Sequence, residues 1–247
     1  MKLGNNIDII FKKIKDMNGN SSDIATRIIE KNKNRIGYIF LESVSSDDKI
    51  SNFLNKGIIE SDKKKFFDSF YNLMKNSIFN SNMKFCDNYE ELFYFLACGF
   101  TAIVFDDADK AIVVETRLQL DRGVVESTSE TIVRGPKDSF TENHNKNIGL
   151  IRKRIKDHNL WFEDVKVGRR TKTKVSVAYI KDIVPSEKIK KVVNSIKNID
   201  IDGILDSGYI RELIEKEQKT LFPKVISTER PDMTCTSLLD GKIVILV

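Results

Sequence analysis

Residues 7–16, IDIIFKKIKD, set Ile7, Ile10, Phe11 and Ile14 on one helical face with Lys12, Lys13 and Lys15 elsewhere, the spacing of an amphipathic helix. NGNSSD breaks that pattern, so a short, loosely tethered N-terminal helix is expected. Ser22 then predicts the cap of a second helix carrying Ile24, Ile28 and Ile29. RIGYIFLES reads as a strand, and helical patterns follow at 47–59 and 62–78, the latter with Phe66, Phe67, Phe70, Leu73 and Met74 on one face. NYEELFYFLACG predicts a helix from a cap at Asn88 to a stop at Gly99, and paired strands are expected over 100–105 and 111–116, joined by DDADK.

The second half repeats this alternation. After the polar stretch LDRGVVESTSE, the segment SFTENHNKNIGLIRKRIKD sets Phe140, His144, Ile148, Ile151 and Ile155 at helical spacing, with Ser139 or Thr141 as cap and Glu142 in the first turn. LWFEDVKVG and TKVSVAYI, separated by GRRTK, predict a long antiparallel hairpin. Pro185 opens a helix through Ile189, Val192, Val193 and Ile196, and DSGYIRELIE supplies another. The closing FPKVISTERPDMTCTSLLDGKIVILV reads as strand, helix, strand.

The expected fold is therefore α/β, with two α/β subdomains built of small mixed sheets flanked by helices. The expected divisions are a helical tail at 1–35, a first subdomain at 36–121 and a second at 122–247. The two halves echo each other: Leu96, Gly99, Ala102 and Val104 align with Leu238, Gly241, Val244 and Leu246. The last strand thus reads as the first arm of a hairpin whose second arm is missing, an unpaired edge that natural proteins avoid, and a fragment cut from a longer protein is expected.

Composition narrows the class. With 247 residues, 40% of them hydrophobic, the chain can bury substantial cores, while its longest apolar runs are strand-length and well short of the roughly 18 residues of a bilayer span. No apolar signal core opens the sequence, so a cytosolic-side location is expected. Cys86, Cys98 and Cys235 are odd in number, far apart and set in apolar patterns, which predicts reduced core thiols. The net charge of +5 is unevenly spread: residues 134–181 hold thirteen bases against five acids. A basic surface is expected there, facing anionic lipid heads, nucleic acid or an acidic neighbouring subunit.

Catalytic signals are weak. The two histidines are His144, on the apolar stripe of its helix, and His158, and no phosphate loop, dinucleotide fingerprint or nucleophile elbow is present. DDADK and DIDGILD lack calcium-loop spacing, so neither a metal nor another cofactor is expected. RGPKDSFTE brings Arg134 and Lys137 near a helix N-terminus that would welcome an anion, or into a charge network with Glu126, Glu142 or Glu229. The network is the favoured reading because local acids match the bases. VGRRTKTKV clusters four bases at a turn without interleaved aromatics, so nucleic-acid binding is not expected.

Taken in order, ESTSETIVRGPKDSFTE, LIRKRIK, VGRRTKTKVSVAYI, IDIDGILDSGYIRELIE, FPKVISTERPD and LLDGKIVILV resemble the hydrophilic N-terminal domain of the A subunit of GerA-family spore germinant receptors. That resemblance implies a non-enzymatic domain on the spore-core side of the inner spore membrane, with a multi-pass membrane domain following it. It also implies receptor B and C subunits and other A copies as partners. On this reading Arg134, Glu142, Arg152, Arg154, Arg169, Arg170, Glu229 and Arg230 form the subdomain junction or a ligand or partner contact. The alternative is a module that itself binds an amino acid or other small anion.

Overall fold

The computed structural model describes residues 1–31, 34–52, 82–106, 109–120, 136, 138–216 and 224–247. The chain divides into two compact units, one of Met1–Asp16 with Asp23–Leu120, the other of Met17–Ser22 with Asp121–Val247. The patterns at 53–59 and 62–78, and the LDRGVVESTSE stretch from residue 121 on, lie outside the described residues.

The first unit is built on an antiparallel sheet of strands β1 (Ile24–Lys31), β2 (Asn34–Leu41), β3 (Met83–Cys86), β4 (Phe100–Phe105) and β5 (Ala111–Glu115), in the order β1-β2-β4-β5-β3. Helix α1 (Ile7–Met17) buries Ile7, Ile10, Phe11 and Ile14. Each such side chain is worth about 1.5–3 kcal/mol when withdrawn from water, so α1 is seated firmly where a loose tether was expected. Its first amides are met by Asn6 Oδ1, which accepts from Asp8 N and Ile9 N, and by Asp106 Oδ1, which accepts from Ile7 N. Arg35 clamps Asp8 at 2.8 Å and approaches Asp106 at 3.4 Å.

Residues 24–31 are a strand, where a helix capped by Ser22 was expected. Ile24, Thr26, Ile28 and Ile29 are β-branched, stiff at χ1 and at home on a pleated surface, and β2 lies close enough in sequence to pair along all eight positions. The stretch 1–35, expected as a helical tail, thus supplies a helix, an edge strand and the start of a central strand. After α2 (Asp47–Ile50), Asn88 caps α3 (Tyr89–Ala97) by accepting from Glu91 N at 2.9 Å. Strand β3 carries no alternation in the sequence and is held by its pairing to β5.

The second unit carries an antiparallel sheet of β6 (Leu160–Val167), β7 (Thr173–Ile180) and β8 (Val244–Leu246), with β7 central. Because strand side chains alternate, Leu160, Phe162, Ala178 and Ile180 face one way, and Val165, Val167, Val175 and Val177 the other. Helices α4 (His144–Arg154) and α7 (Pro231–Leu239) cover the first face through Ile148, Ile151, Cys235 and Leu238. Helices α5 (Ser186–Lys197) and α6 (Ser207–Lys216) cover the second through Ile189, Val193, Ile196, Ile210 and Ile214. The described part of the FPKVISTE stretch, from residue 224, is irregular where a strand was expected; its Glu229 carbonyl accepts from Phe140 N at 2.8 Å.

The echo between the halves is structural. Gly99 and Gly241 follow α3 and α7 with φ of +82° and +74°, and their amides donate to Leu96 O and Leu238 O. A left-handed residue one step past a helix end is the position glycine fills without strain. In both units a helix precedes a hairpin and a later helix passes through the glycine into a strand, so β8 lies beside β7 as β4 lies beside β2.

Gly37 on β2 makes room for α1: a Cβ there would lie 2.8 Å from Ile7 Cγ2, Phe11 Cζ and Val104 Cγ2. Gly37→Val should lower the unfolding free energy by about 1–3 kcal/mol through overpacking, read as a reduced urea midpoint. An unchanged midpoint would show that α1 does not bear on this strand.

Candidate functional site

Arg152 sits in the last turn of α4, one residue after Ile151, so its side chain runs beside the apolar stripe and is fully buried. The guanidinium carbon lies 4.9 Å from the centre of the Phe162 ring. Nη1 donates to Asp157 O at 3.3 Å, and Nη2 donates to Asn18 Oδ1 at 3.4 Å and Ser21 Oγ at 3.3 Å. Ser21 Oγ also accepts from Phe162 N at 2.9 Å, and Ser22 N donates to Phe162 O at 3.1 Å. The short segment Met17–Ser22 is thereby laid along the outer edge of β6. Gly19 and Asn20 bend it with φ of +58° and +52°, and Gly19 lies so close to the Trp161 ring that a Cβ would come within 2.1 Å of it.

A second group of charges lies at the end of α4 and at the start of α7. Arg154 Nη2 donates to both oxygens of Asp138, at 2.7 Å and 2.5 Å, and Nη1 to Leu150 O at 2.9 Å. Arg230 forks onto Asp232 at 3.2 Å and 2.6 Å, and this pairing holds the Asp232 carboxyl below its ordinary value. Cys235 lies within the field of Arg154, Asp232 and Asp138; burial is the main cause that pushes its thiol up to about 11.

The third group is the tip of the β6–β7 hairpin. Arg169 donates to both oxygens of Asp200 at 2.7 and 2.8 Å and lies 3.9 Å from Asp202. The hydrogen bond from Arg169 lowers the Asp200 pKa. Backbone bonds from Arg169 N to Ile201 O and from Arg170 N to Asp202 O fasten the tip to the α5–α6 connection, and Arg170 leaves its side chain exposed. Acids from the connection therefore answer Arg169 among the bases of the stretch read from the sequence.

The described members of the predicted set all fall in the second unit, at three separate places; Arg134 lies outside the described residues. Glu142 is exposed and stands before the cap of α4, which is Asn143 in place of Ser139 or Thr141: its Oδ1 accepts from Lys146 N, while Thr141 Oγ1 accepts from Asn143 N. Glu229 enters through its backbone carbonyl. The acids that pair with the arginines are Asp138, Asp200 and Asp232, and the groups around Arg152 are Asn18 and Ser21, none of which was read from the sequence. Arg230 and Asp232 stand two apart in RPD, a legible pair; the 134- and 131-residue separations to Arg152 left no local signal.

A cavity of about 390 Å³ opens beside Met17–Ser22, bounded by Trp161, Tyr179, Glu163 and Asp164. Its two carboxylates are met by Lys197 at 3.3 Å and Lys174 at 2.9 Å, a lining that does not suit an anion. Among the described residues no cluster of His, Cys, Asp and Glu has the arrangement of a metal site, and no helix is long and apolar enough to cross a membrane.

The profile described as "Bacillus/Clostridium GerA spore germination protein" matches residues 12–247. The chain belongs to the GerA family. It is 32% identical to spore germination protein KA of Bacillus subtilis over 93% of this chain and 43% of that protein. It is 39% identical to spore germination protein B1 of Bacillus subtilis over 60% of this chain and 31% of the relative. Half or less of each relative's length is therefore represented. Among solved structures, the N-terminal domain of the A subunit of the Bacillus megaterium spore germinant receptor GerK3 superposes with a TM-score of 0.77 at 31% identity, covering 100% of this chain and 92% of that one. The fold of this GerA-family chain is the fold of that domain.

The three arginine sites differ sharply in weight. Arg152→Ala removes the buried guanidinium that joins Asn18, Ser21 and the Asp157 carbonyl over the Phe162 ring, and should destabilise the chain by about 2–4 kcal/mol in urea unfolding. Arg169→Ala, in water with its carboxylate, should leave the midpoint within error. Equal effects would contradict the assignment of Arg152 as the anchor.

The thiols give a separate check. Cys86 is pushed up to about 12, mainly by burial, and Cys235 to about 11, so at mildly alkaline pH each is thiolate in about one molecule in a thousand or fewer. Half-exposed Cys98 should alkylate first with iodoacetamide, as followed by mass spectrometry.

Proposed function

We propose that this chain is the core-facing domain of a germinant receptor A subunit, acting in receptor assembly and in transducing the nutrient signal that starts germination, without catalysis. The end-to-end match to the N-terminal domain of the GerK3 A subunit carries this reading. In this proposal the domain is held at the inner spore membrane by a membrane domain that follows it, and meets the B and C subunits and other A copies there.

The charged residues divide the labour. Arg152 anchors Met17–Ser22; Arg154 and Arg230 brace α4 and α7; Glu142, Arg169 and Arg170 are exposed and form the partner contact, with Arg134 and Glu229 in the same set. A signal arriving from the nutrient site alters the domain only if its two states differ in these contacts, since coupling is a difference in interaction free energy between states. Reversal at an exposed member then changes the response without changing the fold.

In spores carrying the full-length subunit, Arg170→Glu should slow nutrient-triggered germination about fivefold or more while subunit level stays normal, the range of a modest coupling energy. A wild-type rate would remove Arg170 from the contact. The rival reading, direct capture of an amino acid or other small anion, requires saturable heat when candidate nutrients are titrated into the 247-residue chain.

A further inference from the structure

The two histidines of the chain stand in different settings. His158 is at the surface beside Asp157, whereas the ring of His144 is turned onto the sheet face that α4 covers. His144 Nε2 lies 2.7 Å from Ser176 Oγ, and Ser176 is fully buried on β7. Ser176 Oγ in turn donates to Oδ1 of Asp164, its cross-strand partner on β6. Asp164 Oδ2 receives Lys174 Nζ at 2.9 Å. A polar chain of four side chains thus runs from the first residue of α4 across two strands.

The chain fixes the histidine's tautomer. A carboxylate only accepts, so the Ser176 proton points to Asp164 and the Ser176 oxygen must accept from His144 Nε2–H. Nδ1 of the neutral ring is left as the bare acceptor, and it is buried with no hydrogen-bond partner. Adding a proton there creates a buried donor without an acceptor, at the positive end of a helix and in the field of Lys174. No new hydrogen bond forms at Nε2, because that bond exists already.

We propose that His144, Ser176 and Asp164 form an acid-released latch: the neutral ring fastens the first turn of α4 to β6 and β7, and protonation of Nδ1 frees it. The charged groups acting on the ring are Lys174 of β7, which opposes protonation, and Asp164 of β6, which favours it. β8 sets Leu246 opposite Ser176, and α7 faces α4 with Cys235 and Leu238, none of them charged partners. On α4 itself, Lys146 lies two residues on, and Glu142 precedes the helix. Burial, the largest cause, and then Lys174 hold the His144 pKa below its ordinary value of 6.5. Stability from the latch is therefore full above that value, and is lost as pH falls below it towards the lowered pKa.

Release has a defined reach. Lys146 N is held by Asn143 Oδ1, and Asn147 N by Asn143 O. The Asn147 side chain also bonds Thr141 through its N and O at 2.8 and 2.7 Å, so the segment leading into α4 loosens with the first turn.

The test is an NMR and hydrogen-exchange titration of the 247-residue chain. At about pH 7.5 His144 should show a hydrogen-bonded Hε2, and its pKa should fall below its ordinary value of 6.5. Between about pH 7.5 and about pH 5.5 the protection factors of Lys146 and Asn147 should drop several-fold, towards a limit of about tenfold, while His144→Gln, which keeps a donor but cannot titrate, should hold them within about twofold. Equal loss in His144→Gln, a ring protonated on Nδ1 at neutral pH, or a His144 pKa at or above 6.5 would overturn the latch. Should His144→Gln fail to fold, Ser176→Ala decides the matter: it removes the acceptor, so at neutral pH its first turn should already be as unprotected as the acidified wild type, and retained protection would refute the proposal.

Discussion

A guanidinium withdrawn from water keeps its charge and must find hydrogen-bond acceptors inside the protein, and Arg152 finds them in Asn18, Ser21 and the Asp157 carbonyl, above the face of Phe162. This one side chain fixes the end of α4, the edge of β6 and a stretch of chain more than a hundred residues earlier. Met17–Ser22 belongs to the second unit although the residues on both sides of it belong to the first. A segment so short has little apolar surface of its own, and Arg152 with the backbone of Phe162 supplies what holds it in place.

Around that anchor each unit follows one plan, with a helix preceding a hairpin and a later helix returning through a left-handed glycine into a strand. In the first unit the returning strand β4 is flanked by β2 and β5; in the second, β8 lies at the edge beside β7. The shared plan places polar groups differently in the two sheets. Thr101 and Thr116 bond to each other in the first, while Asp164 and Ser176 link to the first residue of α4 in the second. The same scaffold therefore carries a local tie in one half and a link across two layers in the other.

The basic stretch that dominates the charge map resolves into unlike pieces. Within it Arg154 is spent on Asp138, Arg169 on Asp200, and Arg152 on Asn18, Ser21 and the Asp157 carbonyl. What remains for a partner is the exposed remainder, above all Arg170. Charges neutralised in this way contribute little to the steering of a free anion. Relatives in the family are named for spore germination.

Most helices, the β4–β5 and β6–β7 hairpins, the Asn88 cap and the glycine stops are legible in the order of residues, since each follows from neighbours within a few positions. That order also placed His144 on a packed stripe and grouped the halves as repeats. Only tertiary structure decided that residues 24–31 are a strand, because the pairing with β2 and a place at the sheet edge outweigh a short local period. Tertiary structure alone gave β3 its place beside β5, and it alone chose the partners of the arginines. An ion pair or a buried hydrogen bond depends on which side chains packing brings within about 3 Å of each other, a distance set by the whole core. Arg152, Asn18 and Ser21 meet for that reason, and no spacing along the chain records it.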